Sequence, residues 1–326
     1  MKSKILALVL IGFLGIYLAP TLLTKSNGQD NRVYPEFKPT QAYDVEIVKK
    51  ASLPAKGKPV ESGKPPKSSG SVATGILGQT VASTSNRYAV VIGISDYPGS
   101  GSDLNYTDND ALAMRNVLVS QYGFNDANIY LLTDGETAAG NPSIIDGSPV
   151  YNNIYNAVMD LKYNKGLTSN DEIVFFYSGH GANGRADDGD AEKIDESIVS
   201  HDGTNFVSIW DGDLKNWFSN FPTQRIVFLF DSCVSGGMTD LAGVGRIVNM
   251  ATQETGFNTA IESVYDGIGA GEFTYYFIIK GMAEGLADTT GTPGVITIEE
   301  SFDYTKANIG YDHPTISDKF TDDLLL

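Results

Sequence analysis

Two stretches decide the fold: Glu172–Gly181, which reads EIVFFYSGHG, and Arg225–Gly237, which reads RIVFLFDSCVSGG. Each is a short unbroken run of aliphatic and aromatic residues that stops abruptly at small and polar ones. A continuous apolar run of this length, ended by Gly and Ser, is the pattern of a strand covered on both faces, as in a parallel sheet. The residues just past each run are therefore delivered to one edge of the sheet. In the first stretch these are Ser178 and His180; in the second they are Asp231, Ser232 and Cys233.

Working outward, similar runs occur at Tyr88–Ser95 (YAVVIGIS), Asn128–Thr133 (NIYLLT) and Arg246–Ala251. Between them lie helical patterns. Thr107–Tyr122 opens on a capping-type residue and places Ala111, Met114 and Leu118 on one face; Ile154, Val158 and Leu161 mark a second helix. Leu214, Trp217 and Phe218 share a face of a short one, and Ile278, Met282 and Leu286 mark another. Thr297 and Glu300 form a capping box ahead of Phe302 and Ile309, with Gly310 as the stop. Alternating strands and helices predict an α/β fold, a mostly parallel central sheet with helices on both faces, and place the site at the carboxyl ends of the strands.

The chain has 326 residues and a formal charge of −17. That charge is unevenly held: the residues up to 80 are net basic and the remainder strongly acidic. So acidic a body argues against nucleic acid as a partner, since phosphate binding needs clustered Lys and Arg. One cysteine, Cys233, excludes a disulfide framework, and three histidines leave little for a zinc site. Lys2 and Lys4 ahead of the apolar run Ile5–Ala19 read as an export signal, so residues 1–24 are expected to be a signal peptide or membrane anchor, with residues 5–23 as the anchoring part. A secreted or extracytoplasmic protein follows. Residues 25–85, rich in Lys, Pro, Gly and Ser around 49–71, are expected to be a flexible linker, and residues 86–326 the folded domain, a monomer.

A cysteine becomes a good nucleophile at neutral pH beside an imidazole, because the thiolate is the reactive form. The strand ends supply that pair in Cys233 and His180. Glycines around His180 leave backbone N–H groups free for an oxyanion. Tyr-Ser-Gly-His-Gly at 177–181 followed by Asp-Ser-Cys-Val-Ser-Gly at 231–236 resembles the caspase–hemoglobinase fold, and most of all the metacaspases and their prokaryotic relatives. The resemblance runs from about Arg87 to the last helix. It implies a three-layer caspase-like domain and a cysteine endopeptidase working through a Cys–His dyad, Cys233 and His180, with a thioester intermediate. It also implies an oxyanion hole built from the backbone N–H of Gly181 and Cys233.

Charge argues specificity. Between Tyr88 and Met114 there is no Arg or Lys, but Asp96, Asp103, Asp108 and Asp110 are present, and Asp231 stands where caspases carry a Gln. An acidic pocket selects a basic residue. Metacaspases cleave after Arg or Lys, and their pocket positions correspond here to Asp231, Ser178, Asp110 and Thr107. The acidic run from Asp187 to Glu196, with Asp211, Asp213 and Asp240, offers hard oxygen ligands suited to Ca2+. The resemblance points to Asp195, Asp211, Asp213 and Asp240 as the calcium ligands. Protein or peptide substrates with basic residues are the expected partners, and the lysines of the leader are candidate self-processing sites. Three other readings stand beside this one. They are a legumain- or clostripain-like specificity, a catalytically silent calcium-binding module of the same fold, and a serine hydrolase using Ser178 or Ser232. No Gly-x-Ser-x-Gly elbow surrounds either serine.

Overall fold

The computed structural model describes Tyr34 and residues 37–54, 71–99, 101–140, 142–189 and 192–326. The expected signal or anchor, residues 1–24, and linker residues 55–70 lie outside the described residues. No helix among the described residues is long and apolar enough to cross a membrane.

The strands in chain order are β1 (Ala42–Val48), β2 (Ala51–Ser52), β3 (Arg87–Gly93), β4 (Ile129–Thr133), β5 (Glu172–Ser178), β6 (Gly181–Ala186) and β7 (Asp195–His201). They continue with β8 (Phe206–Trp210), β9 (Ile226–Asp231), β10 (Arg246–Met250), β11 (Ile261–Tyr265), β12 (Ile268–Gly271) and β13 (Thr315–Asp318). The helices are α1 (Thr107–Ser120), α2 (Gly135–Gly140), α3 (Tyr151–Asn164), α4 (Asp211–Trp217), α5 (Glu272–Thr274) and α6 (Ile298–Asn308), and α5 runs on into a π-helix, Tyr275–Ala283.

The central sheet has the order β13-β10-β9-β5-β3-β4. Its strands are parallel except β13, which runs antiparallel to β10. The five apolar runs that read as covered strands form β3, β4, β5, β9 and β10, with β10, β9, β5 and β3 in the middle and β4 at one edge. Alternate residues of these strands feed two separate cores. Val90, Ile92, Phe175 and Phe228 pack with Ile154, Val158 and Leu161 of α3 and Leu214 and Trp217 of α4. Ala89, Val91, Phe176 and Leu229 pack with Met114 and Leu118 of α1, Phe277 and Ile278 of the π-helix, and Phe302 of α6. This is the three-layer α/β arrangement that the periodicities predict. Thr297 and Glu300 make the capping box at the start of α6. Leu286, expected on the face of the preceding helix, lies beyond its end and is exposed.

Parallel register decides the site. Gly93, Ser178 and Asp231 lie abreast across β3, β5 and β9 at their carboxyl ends.

Two smaller sheets flank this edge, β1-β6-β7-β8 and β12-β11-β2. Both recruit a strand from the segment read as a flexible linker, which corrects that reading for residues 42–52. The sequence AYDVEIV has enough β-branched residues to pair with the open edge of β6, and pairing satisfies backbone groups that a tether would leave to water. Residues 72–78 are also held: Val72 and Thr74 donate backbone N–H to Asp303 and Asp323.

Candidate active site

Lys50, between β1 and β2, enters the edge where Ser178 and Asp231 meet. Its ammonium is buried and makes three hydrogen bonds, to Asp231 Oδ1 at 2.6 Å, the Asp231 carbonyl at 3.1 Å and Ser178 Oγ at 3.1 Å. An ammonium has three donors, so all are used. Asp110 Oδ2 lies 3.6 Å from the same nitrogen and accepts a hydrogen bond from Ser178 Oγ at 2.7 Å. Asp110 reaches this point because α1 packs on β3 and β5, and Gly271, at the end of β12, donates its N–H to it at 2.9 Å. Asp231 Oδ2 is held by Thr274 N at 3.0 Å and Thr274 Oγ1 at 2.6 Å. Gly271 has to be glycine, since a Cβ there would overlap the Asp231 carboxylate.

The electrostatics follow from enclosure. Burial disfavours the Lys50 ammonium, but Asp231 and Asp110 outweigh it and hold the group above the usual lysine range. Burial holds the Asp110 carboxyl above its ordinary range, with Lys50 opposing and Asp231 adding. A cavity with two buried carboxylates and a hydroxyl is therefore balanced only when a cation fills it.

The nucleophile and base lie beside this pocket. His180 is buried, and its Nε2 faces the Ser102 carbonyl at 2.8 Å, which places the ring proton there and leaves Nδ1 as the acceptor. Nδ1 receives the backbone N–H of Lys50 at 3.0 Å. Burial pushes His180 down to about 4, with the Ser102 carbonyl opposing and Lys49 and Lys50 adding. Tyr97 stacks on the imidazole, centroids 4.5 Å apart, and its hydroxyl accepts the His180 N–H at 2.9 Å. Cys233 follows β9 and is fully buried; Sγ accepts the Ala260 N–H at 3.1 Å, and among the described residues no hydrogen bond joins it to His180. Burial pushes the thiol up to about 12, the bond to residue 260 opposing. Gly181 packs on the Cys233 backbone so closely that a Cβ would overlap its carbonyl oxygen. Gly179 is not open: its N–H goes to the Asp231 carbonyl at 3.3 Å, and the Tyr97 and Tyr177 hydroxyls crowd it.

The family model for a metacaspase, peptidase C14 domain, matches residues 87–242. The span contains His180, Cys233 and all the acidic pocket residues. Residues 87–242 are a metacaspase domain. Metacaspase-4 of Arabidopsis thaliana is 35% identical over 157 residues, 47% of this chain and 34% of that protein. Metacaspase-1 of Cryptococcus neoformans is 36% identical over 161 residues, 48% and 33% of the two chains. Metacaspase-1 of Pyricularia oryzae is 33% identical over 205 residues, 60% and 49%. The chain thus spans between a third and a half of the length of these relatives.

Within the metacaspase domain, three of the four expected pocket residues converge on the Lys50 ammonium: Asp231, Ser178 and Asp110. Thr107 does not reach it. Its hydroxyl donates to the Ile94 carbonyl at 2.6 Å and meets Ser95 Oγ at 2.9 Å, and the helix cap position is Tyr106. Lys50 was legible only as one of several leader lysines of the type an acidic pocket accepts; Ser102, Tyr97 and Thr274 were not legible as site residues. Tyr97 alone carried a signal, standing just past the apolar run of β3 at the active edge.

The four expected calcium ligands divide. Asp195 and Asp211 come together with Asp188, all buried, with carboxylate oxygens within 4.8 Å of one another. Glu192 and Glu196 adjoin Asp211 in the same way. Asp213 instead accepts Thr40 Oγ1 at 2.6 Å and Trp210 N at 3.3 Å, capping α4. Asp240 pairs with Lys215 at 2.6 Å. A hard cation fits the Asp188–Asp195–Asp211 set. Asp211 Oδ2 is buried without a hydrogen-bond partner among the described residues, and burial with Asp188 and Glu196 pushes its carboxyl up to about 9. Glu196 also presses on Gly237, four residues past Cys233.

Proposed function

We propose that this chain is a cysteine endopeptidase that hydrolyses peptide bonds after Lys or Arg. The observation that carries this reading is the Lys50 ammonium, buried, with every donor satisfied by Asp231 and Ser178 and with Asp110 alongside. A pocket lined this way rejects an acidic side chain, which would bury like charges together.

In the reaction, His180 Nδ1 takes the thiol proton, and the Cys233 sulfur attacks the scissile carbonyl to form a thioester. His180 gives the proton to the leaving amine and then activates the water that releases the acid. The Ser102 carbonyl keeps the imidazole in the tautomer this requires. The N–H groups of Gly181 and Cys233 would receive the oxyanion.

Calcium is proposed at Asp188, Asp195 and Asp211. It would supply positive charge to a buried acidic cluster that abuts the turn after the nucleophile. Export belongs to the same proposal and rests on Lys2, Lys4 and the apolar run Ile5–Ala19. Self-processing is proposed for the lysine-rich leader.

The test is hydrolysis of Arg, Lys, Asn and Asp reporter peptides, with Ca2+ and with excess chelator. It uses the native chain, Lys50→Ala and Cys233→Ala, because Lys50 occupies the pocket. Arg and Lys reporters are cut, the Asp reporter is not, and Cys233→Ala is inert while folded. Hydrolysis retained in Cys233→Ala, or preference for the Asp reporter, refutes the proposal.

A further inference from the structure

The two members of the catalytic pair are held by different parts of the chain. His180 Nε2 is held by the Ser102 carbonyl, in the loop that leads into α1. Cys233 Sγ is held by the Ala260 N–H, just before β11. The Ser102 loop braces itself internally: Leu104 N donates to the Ser95 carbonyl at 2.9 Å, and Asp103 accepts Tyr97 N at 3.1 Å. Neither bond fixes the loop relative to β11.

Glu262 does. It stands on β11, and its side chain is buried against the same loop. Oε1 accepts Asn105 N and Asn105 Nδ2, both at 2.9 Å, and Oε2 accepts Tyr106 N at 3.1 Å. Ser52 Oγ completes the group, bonded to Oε1 and 3.0 Å from Asn105 Nδ2. A carboxylate suits this place because it only accepts, and its partners here are donors. Tyr106 is the cap position of α1 and supplies no side-chain bond, so the acid from β11 serves the start of that helix instead. The strand is secured separately, since Asp312 Oδ1 accepts Ile261 N at 3.1 Å. Two neighbouring positions thus reach to opposite members of the pair: the Ala260 N–H to the nucleophile, the Glu262 carboxylate to the loop of the base. Burial disfavours a charged His180, the Ser102 carbonyl opposes that, and Glu262 opposes it as well, against Lys49 and Lys50.

We propose that Glu262 is a positioning residue for the catalytic pair, a strut that ties the Ser102 loop behind His180 to the strand that holds Cys233. This rests on the reading of Cys233 and His180 as nucleophile and base and adds a residue that acts through both. Without the strut each half keeps its own support, but the distance between them is no longer set. A misplacement of about 1 Å can cost about a hundredfold in rate, so the loss falls on kcat and not on binding in the acidic pocket.

The experiment uses the full chain with Lys50→Ala as reference, so that the pocket is open, and Lys50→Gln as reference should Lys50→Ala fail to fold. Into it go Glu262→Gln, Asn105→Asp and the two together. Asn105 is exposed, so its substitution spares the core. Asn105→Asp sets two carboxylates against each other, and the double variant restores an amide facing a carboxylate with the two exchanged. Circular dichroism establishes folding; kcat and KM on an Arg reporter and the rate of Cys233 labelling by iodoacetamide are read. Each single variant should lose at least tenfold in kcat and in labelling with KM within threefold, and the double variant should return to within threefold of the reference. Single variants that keep kcat and labelling within threefold overturn the strut, whatever their melting temperatures. A double variant no better than the poorer single also overturns it, because a merely structural acid would not be rescued by the exchange. Labelling that slows in the single variants and recovers in the double, without hydrolysis of the Arg reporter, upholds the strut and refutes the basic specificity instead.

Discussion

Asp231 serves two partners. One carboxylate oxygen is fixed by Thr274 N and Oγ1, and the other is aimed at the ammonium of Lys50. An acid so placed is pre-oriented and has no water to fall back on, so its charge counts for more than at the surface. Removing the charge while keeping the shape should expose that. In a Lys50→Ala background, where the pocket is free, Asp231→Asn is expected to lower kcat/KM for an Arg reporter about a hundredfold, the ~3 kcal/mol typical of breaking a desolvated charge pair. Steady-state kinetics on the double variant checks this, and a change under threefold would remove Asp231 from the specificity pocket. Asp231 was legible from sequence because a carboxylate two residues before a cysteine, at the end of a buried strand, has no structural reason to be there. Lys50 was legible only as one of several leader lysines of the type an acidic pocket accepts. It stands among lysines, prolines and serines, and only a tertiary pairing distinguishes it from its neighbour Lys49. Ser102 was hidden for a different reason: it acts through its backbone carbonyl, which every residue has.

At the scale of elements, the readable strands were those whose signal is local. EIVFFYS and RIVFLF are apolar throughout because helices cover both faces. The strand GANGRA (β6) has no such signal, being an open-faced strand whose partners β1 and β7 come from elsewhere in the chain. Two of the four expected calcium ligands stand apart from the other two for the same reason. Asp213 caps α4 and Asp240 meets Lys215, roles that depend on local geometry and neighbours that spacing alone does not give. Helix α6 was legible from its capping box, but its first turn also holds Glu299, buried, with one oxygen on Leu324 N at 2.8 Å and the other without a hydrogen-bond partner among the described residues. Burial pushes this carboxyl up to about 8, the Leu324 bond opposing and Asp318 and Asp323 adding. The folded state then keeps a proton that the unfolded chain loses at its ordinary value of 4.5. The stability this contributes is complete below that value and is lost as pH rises through the folded one. Glu299→Gln cannot ionise and keeps an acceptor for Leu324. It is expected to match the native chain at pH 5 and to melt several degrees higher at pH 8, at roughly 2–4 °C per kcal/mol. Thermal melts at the two pH values decide, and parallel curves would mean that Glu299 is not the titrating group.

For the whole molecule, the uneven charge acquires a layout. The basic leader is not merely tethered to an acidic body: its strands join two sheets of that body and place Lys50 on Asp231 and Asp110. A second acidic focus, Asp188, Asp195 and Asp211, lies across β7 and the start of α4, and Glu196 links it to the turn after Cys233. The first focus has its cation supplied by the chain; the second brings three buried carboxylates together in a geometry that suits a divalent ion from solution. A ligand that binds only the folded state stabilises it by mass action, about 2.7 kcal/mol at a hundred times Kd. Millimolar Ca2+ is therefore expected to raise the melting temperature of the full chain, and excess chelator to reverse the rise. Asp211→Asn should abolish the calcium increment, because it removes a charge from the centre of the set. Asp240→Asn should retain it, because that carboxylate is paired with Lys215 outside the set. The contrast between the two variants separates a built site from general screening of an acidic surface, which would respond to both substitutions alike and to Na+ at matched ionic strength. A native chain whose melting temperature ignores Ca2+ would leave the acidic cluster without a cation and the proposed activation by calcium without a basis.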